Sequence, residues 1–169
     1  MPVKPKYALD KYSQFLTEYE REEIKKYQDI FWIGIGCKKR KATLANTKDG
    51  KVDNNHNFDN ERSDYLWQEN DHIAYRYKML DCLGKGSFGW VIRVFDFKKK
   101  TFCALKIIRS QNKFYNQGLI EVKILKHIRT NDPNDRSCCI RIRNFLLFRK
   151  HICLVFDLLS INLFQFMKL

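Results

Sequence analysis

No uninterrupted apolar run in the 169 residues reaches the ~18 needed to cross a bilayer. The best candidate, Ile152 to Phe166, is broken by Asp157, Ser160, Asn162 and Gln165. The opening residues, Met1-Pro2-Val3-Lys4-Pro5-Lys6-Tyr7, hold no apolar stretch of the kind a secretory leader needs. Both absences argue against a membrane partner. No Cys-x-x-Cys pair occurs among the six cysteines at 37, 82, 103, 138, 139 and 153. A zinc site wants paired ligands at short spacing, and the adjacent Cys138 and Cys139 chelate poorly, so no metal site is expected. Cys103 and Cys153 fall in apolar, strand-like runs. The expectation is buried free thiols in a reducing compartment, the cytoplasm. Internal repeats are also lacking.

Acidic charge is scarce in one half only. Residues 1–75 carry 13 basic and 13 acidic side chains, whereas residues 76–169 carry 19 basic and 6 acidic, which accounts for the whole net charge of +13. Such an excess favours anionic partners: nucleic acid, phosphates or acidic protein. The basic residues are interleaved along strand-like runs without a DNA- or RNA-binding motif, which argues against nucleic acid. Lys38-Lys39-Arg40-Lys41 is a candidate nuclear address.

Apolar residues make up 44% and aromatics 14%, enough for a core. Thr17 to Lys26 reads as a short helix, with Thr17 as N-cap and Glu20 closing a capping box. Ile30 to Ile35 reads as a buried strand or extended segment. Residues 42–64 are rich in Asn, Asp, Lys and Ser, with an Asp49-Gly50 turn signal, and are expected to form a flexible loop. From Tyr75 the texture changes to short β-prone runs at Tyr77–Leu83, Trp90–Phe97 and Thr101–Ile108. Helical spacing follows over Phe114–Ile128, with Leu119, Ile120, Val122, Leu125 and Ile128 on one broad face. Two more strands, Ile140–Phe148 and His151–Leu158, flank a tight turn at Arg149-Lys150. A helix begins at Asn162.

The most informative motif is Gly84-Lys85-Gly86-Ser87-Phe88-Gly89. A lone G-x-G-x-x-G is weak, so its context decides. A dinucleotide fold needs a helix straight after the glycines; here the β-branched and aromatic Trp90-Val91-Ile92-Arg93-Val94-Phe95 follows. A Walker loop needs Lys after Gly89, and position 90 is Trp. The protein-kinase form, G-x-G-x-x-G-x-V leading into a strand, fits at every position. Glycines let backbone N–H groups approach phosphates without a Cβ clash. Leu83 and Val91 can clamp a flat purine. Lys106 lies 17 residues after Gly89 in the apolar run Cys103-Ala104-Leu105-Lys106, where an unpaired ammonium is costly to bury. Glu121, the only acid on the expected helix, is its natural partner. A Lys106–Glu121 pair that aims Lys106 at α- and β-phosphates is the kinase arrangement.

At this point the chain resembles the N-terminal lobe of a eukaryotic protein kinase, and in particular the DYRK family of dual-specificity tyrosine-phosphorylation-regulated kinases. The residues that carry the resemblance are Asp71 to Tyr77, Gly84 to Gly89 and Phe156-Asp157-Leu158-Leu159-Ser160-Ile161-Asn162-Leu163. Leu16 to Glu20, Glu23-Ile24, Phe31 to Gly34 and Lys38 to Arg40 are similar to the accessory segment of class II members. The resemblance implies an α+β fold: a five-stranded antiparallel sheet with one helix, preceded by a small accessory segment docked on it. The expected division is a tail at 1–14, the accessory segment at 15–70, and N-lobe, hinge and the start of the next helix at 71–169, with the C-lobe absent. The docking is expected to use Phe15, Leu16, Ile24, Ile30, Phe31, Trp32 and Ile33.

The resemblance also implies an ATP site made of Leu83, the loop residues Gly84, Lys85, Gly86, Ser87, Phe88 and Gly89, then Val91, Ala104, Lys106 and Glu121. Ile140 would lie at the pocket rear, Phe156 would be the bulky residue behind the adenine, Asp157 and Leu159 would offer hinge backbone groups, and Asn162 would lie near the ribose. Trp90, where the family usually has Gln, should point outward. Leu125 and Leu146 belong by resemblance to an apolar stack between lobes and would lack partners here. No H-R-D or D-F-G motif is present: Thr130 follows His127-Ile128-Arg129, and Lys98 follows Asp96-Phe97. The complete enzyme would move a phosphoryl group from Mg-ATP to Ser, Thr or Tyr of protein substrates, with magnesium bound only with a C-lobe. This chain alone is expected to be inactive. The alternative is a non-catalytic nucleotide- or partner-binding remnant.

Overall fold

The computed structural model describes residues 1–40, 42 and 54–168. Lys41 of the basic cluster, the Asp49-Gly50 turn with most of the expected loop, and Leu169 lie outside the described residues. The remaining chain is built on one antiparallel sheet whose strands follow the expected β-prone runs. A two-residue β1 (His72–Ile73) pairs with β2 (Tyr77–Gly86), which pairs with β3 (Gly89–Asp96) and β4 (Thr101–Ile108). After the long helix Asn112–Asn131 come β5 (Ile142–Phe148) and β6 (His151–Asp157), giving the order β1-β2-β3-β4-β6-β5. The sheet has six strands rather than five because the short β1 adds to the outer edge of β2.

Side chains alternate across a strand, so the strands have two distinct faces. Ile92, Val94, Cys103, Leu105, Ile107, Cys153 and Val155 point to one face and form a core with Phe58, Tyr65 and Ile73. Ile152, Leu154 and Phe156 point the other way and pack with Ile142, Val122 and Leu125. Each large side chain fully buried contributes ~1.5–3 kcal/mol, so both layers are needed to hold so small a sheet.

The accessory region supplies the layer over the first face. Pro5–Tyr12 (α1) and Glu18–Glu23 (α2) are its helices. The Thr17 side chain accepts from the Glu20 N–H, and Glu20 accepts from the Thr17 N–H, so the expected capping box is present. The segment read as a tail at 1–14 is not one: Pro5 starts α1, and Ala8, fully buried, packs with Leu16, Ile24, Ile30, Ile33 and Tyr75. No side chain caps α1; Pro5 at its first position is the local start signal, and the packing of Ala8 holds so short a helix. Ile30 to Ile35 forms no strand: the chain bends at Phe31 and turns at Gly34, which has φ 76°. Ile30 bridges only Val3, and the N–H groups of Phe31 and Trp32 both donate to the Tyr75 carbonyl. Of the expected docking residues, Leu16, Ile24, Ile30 and Ile33 are buried, Phe31 and Trp32 half-buried, and Phe15 exposed.

Residues 54–64 are irregular but packed, contrary to a flexible loop. Asn55, Phe58, Asp59 and Asp64 are all buried, because Asp59 binds His151 and Ser110 while Asp64 binds Arg109. On the long helix (α3, Asn112–Asn131) the buried line is Gly118, Val122 and Leu125, whereas Leu119 and Ile120 are exposed. Gly118 faces the sheet closely: a Cβ there would meet the Ile108 Cδ1 at 2.8 Å and the Ile152 Cδ1 at 3.1 Å, so a larger residue would require these side chains to shift. Leu125 is buried and Leu146 packs against the first core, so neither is left without neighbours. Cys103 and Cys153 are buried as expected, but Cys82, Cys138 and Cys139 are exposed.

A buried polar network fastens accessory region to sheet. The Arg149 side chain is 1% exposed. Its Nε and Nη2 donate to the two carboxylate oxygens of Glu23 at 3.0 and 2.8 Å, Nη2 also reaches Glu20 at 3.3 Å, and Nη1 donates to the Tyr65 hydroxyl. The guanidinium lies 3.9 Å from the Phe58 ring centre and 4.6 Å from that of Phe148. Glu20 further binds Lys39 and His72. His72 donates from Nε2 to Glu20 while its Nδ1 faces the Tyr75 N–H, the arrangement of a neutral imidazole. Burial and the ammonium of Lys39 push the His72 pKa down. Burial opposes the charge of Glu20, but His72 and Lys39 outweigh it and hold the carboxyl well below its ordinary range. Asp71 and Asp64 are likewise held low: burial raises them, and His72 and Lys39 for the one, Arg109 and Lys85 for the other, more than compensate.

Breaking one member of a buried ion cluster leaves the others uncompensated, at a cost of about 3–5 kcal/mol. Arg149→Met should therefore lower stability by about that much in chemical denaturation, and Arg149→Lys should recover less than half, since an ammonium cannot make the forked contacts. A variant that melts like the parent would show that the network is not fastening the two layers.

Acid should weaken the fold in two stages. Folded His72 resists a proton that the unfolded chain accepts, so stability falls as pH drops below about 6.5. Glu20, Asp64 and Asp71 stabilise above their unfolded pKa values of about 4, and that contribution is lost as pH falls further. Melting temperatures measured from pH 8 to pH 3 should bend downward twice; a flat profile to pH 4 would contradict the neutral, buried His72.

Candidate functional site

The second face of the sheet is only partly covered by α3 and opens into a cleft of about 720 Å³. Its roof is the β2–β3 hairpin. Gly84 faces Val91, Lys85 faces Trp90, and Gly86 faces Gly89. The glycines differ in what requires them. Gly89 has φ +139°, and a Cβ there would lie 2.0 Å from the Ile107 carbonyl oxygen, so the turn back into β3 admits no side chain. At Gly84 and Gly86 a Cβ would meet nothing within 4 Å, which leaves their backbone open to a ligand.

Register aligns the polar centre. Val91 is opposite Lys106, and Lys106 is opposite Leu154, so the three share the cleft face. Ala104 is opposite Phe156 one pair further along, and its small side chain leaves a slot beside the ring. Helix α3 lies close enough, through Gly118, to bring Glu121 to Lys106. The ammonium binds both carboxylate oxygens, at 2.7 and 2.9 Å, with the two side chains 24% and 35% exposed. The pair sits at the edge of the cleft, between the apolar slot and the glycine hairpin.

Of the residues expected from the sequence, Leu83, Val91, Ala104, Lys106, Glu121, Ile140, Phe156, Asp157, Leu159 and Asn162 line this one cleft. The loop residues are arranged differently. Lys85 turns away: its ammonium meets Asp64 at 3.1 Å and lies 4.3 Å from the Trp90 ring centre. Trp90 also leaves the cleft free, because it packs edge-on against Trp67 of the accessory region. Ser87 and Phe88 form the hairpin tip, with the Phe88 ring against Phe114 and 5.6 Å from the Lys106 ammonium. The side chain of Asp157 pairs with Arg143 behind the hinge, which leaves only its backbone for the cleft. Asn162 caps the short helix Leu163–Phe166 (α4) by accepting from the Gln165 N–H at 2.8 Å, so its carbonyl oxygen is already engaged.

Leu125, Leu158, Ser160, Ile161 and Gln165 also line the cleft. Leu125 lies one helical turn beyond Glu121, so i,i+4 spacing from the ion pair points to it. The hinge residues carry no such local signal. Chemically, the arrangement offers a flat apolar slot, backbone N–H groups exposed at glycines, and a held ammonium between them, which suits a planar ring bearing a polyphosphate.

No protein-family model matches the chain. Among characterised proteins it is 37% identical, over 99% of its length, to dual specificity tyrosine-phosphorylation-regulated kinase 3 of Mus musculus. It is 38% identical, over 99% of its length, to dual specificity tyrosine-phosphorylation-regulated kinase 2 of Drosophila melanogaster. It is 42% identical, over 90% of its length, to the DYRK-family kinase pom1 of Schizosaccharomyces pombe. The chain spans 28%, 23% and 14% of these proteins respectively.

The glycine geometry yields a paired test of the hairpin. Gly89→Ala forces a Cβ into a backbone carbonyl and should lower stability by about 2–3 kcal/mol. Gly86→Ala meets open space and should stay within ~0.5 kcal/mol of the parent. Equal losses in a denaturant titration would mean that the hairpin is not folded as described.

Proposed function

We propose that this chain, DYRK-like from accessory region to hinge, is the nucleotide-holding portion of a protein kinase. The observation that carries the reading is the Lys106–Glu121 pair, made by residues from β4 and α3 under a glycine hairpin and beside an apolar slot. In this reading the adenine lies under Leu83, Val91 and Ala104, with Phe156 closing the rear. The hinge backbone at Asp157 and Leu159 meets the adenine edge. Lys106, fixed by Glu121, meets the α- and β-phosphates, and the N–H groups of the hairpin cover them.

Phosphoryl transfer needs more than this. A catalytic base contributes ~10²–10⁴ in rate, and magnesium neutralises the developing charge. The H-R-D and D-F-G motifs that supply them do not occur among the 169 residues. In the complete enzyme these groups, and protein substrates carrying Ser, Thr or Tyr hydroxyls, would meet the nucleotide from below the cleft. The exposed apolar side chains there, Leu159, Ile161, Leu163, Phe164, Phe166 and Met167, support a further layer packing at that side.

Titration calorimetry of the 169-residue chain with ATP should show weak, saturable binding that EDTA leaves unchanged and that Lys106→Met reduces at least fivefold. The same preparation should transfer no phosphate to a basic peptide. Magnesium-dependent binding at micromolar affinity or tighter would overturn the half-site reading. Binding untouched by Lys106→Met would remove the ion pair from the phosphate site.

A further inference from the structure

Part of the basic excess of the second half gathers behind the hinge. There Arg76, Lys99, Arg129, Arg141 and Arg143 line a cavity of about 410 Å³ together with Asp96, Asp135 and Asp157. A second cavity of about 420 Å³ adjoins it, sharing Arg129, Ile142, Arg143 and Asn144 and adding Lys126 and Phe145. Two of the three carboxylates are spent: Asp96 on Arg76, which grips it through Nε and Nη2, and Asp157 on Arg143. Arg129 donates only to the carbonyls of Ile142 and Arg143, Arg141 only to that of Pro133, and Lys126 lies over the Phe145 ring. Lys99 makes no ion pair among the described residues. Four cations thus face the groove without an ion pair among the described residues; Asp135 is the lining acid left over, and Asp132 lies near Arg141.

The first cavity crosses the end of the sheet, from Arg76 and Tyr77 at the start of β2 to Asp157 and the start of β5, and the second lies along β5, an edge strand. At that edge the Ile142 and Arg143 carbonyls are taken by Arg129, and the Arg143 side chain is 48% exposed. The accessory region cannot supply the missing charge. Its acids Glu20, Glu23, Asp59, Asp64 and Asp71 are buried and already engaged by Arg149, His151, Arg109 and Lys39.

We infer that this rear groove docks an acidic, phosphate-bearing peptide segment of a partner protein, laid across the strand ends with its phosphate in the cavity that Lys99 and Arg141 line. Arginine forks match phosphate oxygens, and a cavity of this size admits a phosphoserine side chain. The aromatic inventory separates this from nucleic acid. A single-strand site needs open aromatic faces for stacking, whereas Phe145, the aromatic ring of the second cavity, is already covered by Lys126. The site is separate from the nucleotide cleft and does not depend on its function.

The test is fluorescence anisotropy of the full chain with a labelled twelve-residue Glu/Ser peptide carrying one central phosphoserine. One-to-one binding is expected, weakened at least tenfold between 50 and 300 mM salt. It should also weaken at least fivefold in a Lys99→Ala/Arg141→Ala variant whose melting temperature is first checked against the parent. Lys126→Ala, a single exposed change in the second cavity, should weaken binding at least twofold even if the double variant fails to fold. Lys113→Ala/Lys123→Ala removes the same charge from α3 outside the groove and should change affinity less than twofold. Absence of binding, an equal loss in this control pair, or a twelve-residue oligothymidylate that binds more tightly than the peptide and displaces it would each overturn the proposal.

Discussion

The buried guanidinium of Arg149 is the constraint on which the rest of the molecule depends. It sits in the two-residue turn between β5 and β6, where both Arg149 and Lys150 adopt positive φ, 47° and 65°. Such turns favour Asn-Gly, and a long side chain there is strained by ~1 kcal/mol or more. The strain persists because the side chain is over-determined. Two glutamates from one accessory helix, a tyrosine hydroxyl and two aromatic faces hold it, and its own carbonyl accepts from Asn55 at 2.7 Å. A buried charge is tolerable only with every partner in place. The accessory region therefore docks in one register, or the arginine has no acceptable place.

That docking reaches the cleft through three further ties. Asp59 holds His151 at the start of β6, Asp64 holds Arg109 just beyond β4, and Asp64 also holds Lys85 in the glycine hairpin. Arg109 is three residues past Lys106, and its N–H donates to the Phe88 carbonyl at the hairpin tip. One packed stretch of accessory chain, 55–64, thus fixes the ends of the strands that carry the roof and the lysine. Positioning of the Lys106–Glu121 pair is consequently a property of both sheet faces: Gly118 brings the helix close on one side, and the aspartates stiffen the strands from the other.

These ties also explain what is legible in the sequence. Lys106 and Glu121 can be paired because each is alone in its element, one cation in an apolar strand and one acid on a helix. The Thr17–Glu20 box is equally legible, because capping is local. The second role of Glu20 is not: Lys39, His72 and Arg149 reach it from 19 to 129 residues away, and no spacing rule joins them. Helix α1 has Pro5 at its start but no side-chain cap, a weaker signal than the Thr17–Glu20 box. Leu119 and Ile120 are misplaced by periodicity alone, which cannot tell which of two adjacent apolar lines faces inward; the close seat of Gly118 on Ile108 and Ile152 marks the inward line. The motif assigns Lys85 to the cleft by its place in the loop, but a strand side chain belongs to one face, and its partner Trp90 is on the face away from Val91.

The charge balance of the two halves acquires a physical meaning from the same contacts. The neutral first half is not electrostatically idle: its buried acids are directed at Arg149, His151, Arg109 and Lys85 of the basic half. Subtracting those pairs leaves part of the excess along β5 and behind the hinge. Arg76 and Arg143 there are matched by Asp96 and Asp157 from their own half, which keeps the sheet edge folded without neutralising the groove. Lys99, Lys126, Arg129 and Arg141 remain there without an ion pair among the described residues. Interior pairing thus consumes the acids on one side of the sheet, and the geometry of that pairing decides where positive charge is left to meet something from outside.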